Sequence, residues 1–127
     1  MINIMVSPGE LIDKITILKL KKKFITDNTQ SKNINIELNI LLPILNENNL
    51  NTGEIKILSD ELYYINNKLW EIEDDIREKE RLSDFGEEFI KLARDVYFTN
   101  DKRSAIKKKI NILAGSKIIE EKSYSDY

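Results

Sequence analysis

Seven apolar residues, Ile55, Leu58, Leu62, Ile65, Leu69, Ile72 and Ile76, recur at strict three–four spacing through the stretch from Ile55 to Glu80. On an α-helix that spacing lines them up in a single row. It is the pattern of a long helix with a coiled-coil-like seam, roughly 40 Å long at about 1.5 Å per residue. Such a helix is the spine of a small helical domain, and the rest of the chain has to pack along it.

The remaining punctuation fits that frame. Glycine and proline number only 4 and 2 in 127 residues, so turns are few and elements long. Ser7-Pro8-Gly9-Glu10 carries a helix start, with Ser at the N-cap, Pro at N1 and Glu at N3. The spacing predicts helices over about 8–25, 32–45, 53–81 and 85–114. Asn51 or Thr52 caps the third and Asp84 the fourth, and Gly115 ends it as a C′ residue. Pro43 should end or kink the second helix. Phe85, Phe89, Leu92, Val96, Ile106, Ile110 and Leu113 keep one frame across Thr99-Asn100-Asp101, which favours one unbroken fourth helix. Residues 2–6 and Ile118-Ile119 are β-branched enough to form a short two-stranded ribbon joining the termini. The expected fold is all-α: one domain over 1–127, a helical bundle built on the helix 3–helix 4 hairpin.

Composition removes several function classes. There is no Cys and no His, which excludes disulfides, Cys/His zinc sites and the Ser-His-Asp and Cys-His nucleophile systems. Acid–base work would fall to carboxylates, Lys or Tyr. Twenty basic and 22 acidic side chains leave a net charge of −2, with no bias toward nucleic acid or a membrane surface. No stretch approaches the ~18 apolar residues of a membrane span, and MINIMVS does not read as a signal peptide. A cytoplasmic protein without cofactor or metal is expected.

Two polar features stand out. The acid run EIEDDIREKE, 71–80, contains an ExxD spacing, Glu71 and Asp74, that metal-dependent helical pyrophosphatases use. The seam turns Glu71, Asp74, Asp75 and Glu78 outward, so the plainer reading is a solvated face with pairs such as Asp75–Lys79. The second feature lies on helix 4, where Thr99, Asn100, Arg103 and Lys107 occupy inward positions between Val96 and Ile110. Interior cations need partners, and the helix 3 positions at that level, Ser59, Tyr63 and Asn66, are neutral. The carboxylate must therefore come from Glu10 or Asp13 on helix 1, from Glu120 or Glu121 in the tail, or from a ligand. Trp70 and Tyr97 are expected near one another across the hairpin.

Three segments, VSPGELIDKITIL at 6–18, LWEIEDDIREKE at 69–80 and FIKLARDVYFTNDKRSAIKKKIN running into GSKIIEEKSY at 89–124, occur in the order and at the spacing of a known family. The chain resembles this domain of unknown function, found in small helical proteins of bacteria and their phages. The resemblance implies no activity. It implies an accessory role beside surface-polysaccharide glycosyltransferases, and it picks out Glu10, Asp13, Lys14, Trp70, Glu73, Arg77 and Arg94. It also picks out Tyr97, Asn100, Arg103, Lys107, Glu120, Glu121 and Tyr124. Pro8 replaces a tryptophan usual in the family.

Two functions follow. The first is a non-enzymatic binding or interaction module, homodimeric through the long hairpin. The second is an enzyme or binder for a small anionic metabolite (a sugar phosphate, nucleotide or carboxylate), with Arg103 and Lys107 as anion clamps. Asn100, Tyr97, Trp70, Glu73, Arg77, Glu10, Asp13 and Lys14 would then be the neighbouring binding residues.

Overall fold

The computed structural model describes residues 1–127 as four helices, α1 Pro8–Phe24, α2 Asn28–Glu47, α3 Gly53–Arg81 and α4 Glu87–Leu113, with no strand. The most extensive helix contact joins α3 to α4, so the all-α hairpin expected from the seam is present. All seven seam residues of α3 are buried or half-buried. α4 is unbroken through Thr99–Asp101. No helix is long and apolar enough to cross a membrane.

The element at the centre is α1. It packs against α2, α3 and α4, whereas the backbone of α2 comes close to α1 alone. Leu11, Ile12, Ile15, Leu18 and Leu20 are all buried, together with Gly9, Asp13 and Thr16. α1 is thus wrapped on most sides and carries the core between the hairpin and α2, whose Ile34, Leu38 and Leu45 complete it. Beyond this body the hairpin runs on as an arm. α3 has no fully buried residue after Asn66, and α4 has none before Thr99.

Several local expectations change. No terminal ribbon forms: residues 1–7 and 117–127 have no regular structure, and Ile2, Ile4 and Met5 are exposed. A two-stranded ribbon on its own is marginal in water without a face to pack on. α2 begins four residues earlier than expected because Asp27 caps it, accepting from the Gln30 N–H at 2.9 Å. Pro43 does not end α2. It is exposed, so the carbonyl it leaves without an N–H partner is on the wet side of the helix. α4 starts at Glu87 with Gly86 as N-cap, and Asp84 instead accepts from the Gly86 N–H at 3.3 Å. Thr52 caps α3 without a side-chain hydrogen bond. Phe85 and Leu113, expected on the α4 seam, are exposed.

The C-termini of α2, α3 and α4 share one closure. In each, the second residue past the cap donates back to the third-last helical carbonyl: Leu50 to Leu45 at 3.1 Å, Asp84 to Lys79 at 2.9 Å and Ser116 to Asn111 at 2.9 Å. This is the Schellman arrangement, which needs a left-handed residue in between. Asn49, Ser83 and Gly115 fill that place with φ of 54°, 53° and 68°.

The docking of α1 on α4 turns on Gly9. Its N–H, one of the donors a helix start leaves unpaired, gives a 2.7 Å hydrogen bond to Asn111 Oδ1. A Cβ at this position would lie 2.7 Å from the Lys107 carbonyl and 2.9 Å from Asn111 Oδ1. At an ordinary helix position Gly→Ala stabilises by up to about 1 kcal/mol. Here Gly9→Ala should instead destabilise by about 1–3 kcal/mol, the cost of overpacking. Urea denaturation followed by circular dichroism reads the sign.

Candidate functional site

The polar layer on α4 is assembled by spacing. Arg103, Lys107 and Asn111 recur every four residues and form one stripe. α1 presents Gly9, Glu10 and Asp13 to that stripe in reverse order, so the two helices run antiparallel. α3 adds Asn66 from the third side. The carboxylate that Arg103 required is Asp13. The Asp13 side chain is only 2% exposed, and Arg103 holds it through both Nε, at 3.0 Å, and Nη2. Asn66 Nδ2 donates to Asp13 Oδ1 and to Thr16 Oγ1, each at 2.9 Å, and Thr16 Oγ1 donates to the Asp13 carbonyl at 2.8 Å.

Lys107 extends the network outward. Its Nζ is 2.7 Å from Glu10, 3.1 Å from Glu120 and 3.6 Å from Asp13. Glu10 therefore does not close the capping box expected of it. Ser7 still caps α1, accepting from the Glu10 N–H at 3.2 Å, but the Glu10 side chain turns to the ammonium, because a charge-assisted bond is stronger than one to a neutral amide. Glu121 pairs with Lys108 at 3.6 Å, so the tail is tied to α4 at two consecutive acids. Tyr127 closes the tail against Tyr97 and Phe98 and donates to Asp101.

The charge states follow from these contacts. Burial is the largest influence on Asp13 and pushes its pKa up, yet the hydrogen bonds from Arg103 and Asn66 and the charges of Arg103 and Lys107 outweigh it, so the net shift is downward. The hydrogen bond to Asp13 raises Arg103. For Lys107 burial is again the largest influence and pulls down, but Glu10 and Glu120 reverse it and the net shift is upward.

The other candidate residues divide. Trp70, Glu73 and Arg77 line a groove of about 460 Å³ together with Asn66, Asn100 and Arg103. Glu73 and Arg77 pair with each other at 3.3 Å. Trp70 stacks on Phe24, centroids 5.3 Å apart, and not on Tyr97. Tyr97 belongs to a second groove under the tail, about 1020 Å³, that Asn100 and Arg103 also line. Lys14 points elsewhere and pairs with Glu37 of α2 at 3.3 Å. Arg94 is exposed with its guanidinium over Phe98. Glu71, Asp74, Asp75 and Glu78 are exposed as the seam requires. Lys79, however, pairs with Asp84 and Glu88 across the hairpin turn and leaves Asp75 alone. No group of three acidic side chains is placed to hold a metal ion.

Thr16 and Asn111 were missed as members of the network. Their signal is weak, since neutral residues carry no charge that demands a partner. Only their spacing, three after Asp13 and four after Lys107, points to them.

Asp13 is the group through which the network answers to pH. Its folded pKa lies below its ordinary value of 3.8, so its contribution is complete above that value and is lost as pH falls below it. Asp13→Asn should therefore cost more stability at pH 7 than at pH 3, as read by urea midpoints. Arg103→Ala at pH 7 should cost about 3 kcal/mol, the lower end for breaking a buried pair, because Asn66 and Lys107 still face the stranded carboxylate.

No curated protein and no solved structure matches this chain. Residues 2–127, almost the whole sequence, match one family description. The chain belongs to DUF6165, a family of unknown function.

Proposed function

We propose that this protein is a non-enzymatic interaction module that pairs with a second copy of itself through the outer face of the α3–α4 hairpin. The observation that carries the reading is an apolar strip on that face with rims of opposite charge. Ile57 and Tyr64 on α3, seven residues apart, and Ile112 and Leu113 on α4 are all exposed. Two shallow grooves that share Ile57 run between them, floored by Leu58, Ile65 and Ile106. Glu54 and Glu61 flank the strip on α3, and Lys109 flanks it on α4, with Lys102 seven residues before it.

A two-fold axis parallel to the helices would lay α3 of each copy over α4 of the other. Apolar residues would then meet apolar residues, and each acidic rim would meet a basic one. Self-complementarity of this kind is what an isologous dimer needs. Two large aromatic side chains of the hairpin find partners within the chain, Trp70 in Phe24 and Phe98 in Tyr127. The strip, and not the seam, is thus the surface left for a second copy.

The charge states favour a non-enzymatic role. General acid–base catalysis works best with a pKa near the operating pH. In the central network the acid is pushed down and both bases are pushed up, away from neutrality. The setting we propose is the one implied by the sequence resemblance, an accessory part in surface-polysaccharide synthesis in the cytoplasm.

Light scattering of the wild type should give twice the 14.9 kDa chain mass. Tyr64→Glu combined with Ile112→Glu should give monomer with unchanged helicity. Glu61→Lys should weaken association, and adding Lys109→Glu to the same chain should restore it. A wild type that stays monomeric at high concentration refutes the reading.

A further inference from the structure

Arg103 has more donors than its partners use. A guanidinium carries five N–H groups. Asp13 takes one from Nε and one from Nη2, and Asn100 takes one from Nη1 at 3.5 Å, the limit of a hydrogen bond. One N–H on each terminal nitrogen is left without a protein partner, and a guanidinium can give such donors to the oxygens of an oxyanion. The side chain is 29% exposed. Its inner edge is pinned by a carboxylate that cannot move, so the outer edge is oriented before any ligand arrives, and the ordering cost of binding is small.

Arg103 lines the 460 Å³ groove, a volume within the roughly 300–1,000 Å³ typical of small-molecule sites. Asn66 and Asn100 flank Arg103 there, while Ile17, Leu20, Leu69 and Trp70 supply an apolar wall. The Trp70 ring is fixed by its stack on Phe24, at 20° between planes. Fixed aromatic walls favour flat apolar bodies.

From this geometry we propose that the groove between α1, α3 and α4 binds a small monocarboxylate carried on a flat apolar body, with Arg103 as the carboxylate anchor. The charge balance selects one negative charge over two. Arg103 and Lys107 are faced by three carboxylates, Asp13, Glu10 and Glu120, which leaves one surplus negative charge that opposes a dianion about twice as strongly as a monoanion. At the far rim Glu73 neutralises Arg77 and Asp74 has no cation, so nothing there invites a second acidic group. Lys107 is not a second clamp, because its ammonium is committed to its own acids. This inference does not depend on the dimer, since the groove and the outer strip lie on different faces of the hairpin.

The chain has a single tryptophan, so its indole N–H resonance reports on this groove alone. Full-length, nitrogen-15-labelled protein is titrated with 2-naphthoate, with its uncharged isostere 2-naphthamide and with 2-naphthyl phosphate. The carboxylate should move the Trp70 indole resonance and the Asn66 and Asn100 side-chain amides saturably. The amide and the phosphate ester should each bind at least tenfold more weakly. Arg103→Lys, which keeps the charge and loses the guanidinium, should weaken the carboxylate by a similar factor. If that variant does not fold, the comparison of acid with amide on the wild type decides alone. Equal binding of acid and amide overturns the proposal, as does the absence of any saturable Trp70 shift. So do shifts confined to Tyr97 and Tyr127, which would seat the ligand under the tail.

Discussion

A carboxylate that is almost wholly withdrawn from water governs this structure. Burying an unpaired charge is prohibitive, so Asp13 can occupy its place only if Arg103, Asn66 and Lys107 arrive together. Those three come from α3 and α4, and Asp13 comes from α1. One polar layer therefore ties the helix at the centre to both arms of the hairpin. The neighbouring layers are apolar and tolerate shifts of register. This one does not, because a slide by one turn would take the two-pronged Arg103 contact off Asp13 and Asn111 Oδ1 off the Gly9 N–H. A buried ion pair adds little net stability over an apolar isostere, and its best-attested use is to fix register. The Gly9–Asn111 contact works in the same direction, since only a residue without a Cβ lets α1 approach α4 so closely.

With α1 locked, the hairpin is left with unlike surfaces. Its inner face is closed over its proximal half by α1 and opens into a groove only where Arg103 reaches the edge. Its outer face keeps an apolar strip with acidic and basic rims. Its distal half projects past the body with half-buried seam residues and no covered core. Length produces this division: α3 and α4 have 29 and 27 residues, and α1 has 17, so α1 cannot cover the hairpin from end to end. The tail follows from the same charges, because Glu120 reaches Lys107 and Glu121 reaches Lys108 along α4.

Sequence pattern alone determined the helical class, the seam of α3, the unbroken course of α4 and the Gly115 closure. Each depends on residues near in sequence, where the 3.6-residue period and the sterics of φ leave little choice. It also determined that Arg103 sat inward and needed an acid, because a charge inside a seam is visible from spacing. Tertiary structure decided which acid. Asp13, Glu10, Glu120 and Glu121 were equivalent candidates until helix packing chose between them, giving Asp13 to Arg103 and Glu10 with Glu120 to Lys107. Trp70 met Phe24 and not Tyr97 for a similar reason: α1 ends beside α3, and no local pattern encodes where one helix stops against another. Lys79 turned to Asp84 and Glu88 because the hairpin turn brought two carboxylates within its reach. The central place of α1 was the least legible feature. Its apolar residues lie on most sides of the helix, so it shows no single stripe, and only packing against three neighbours reveals why it needs none.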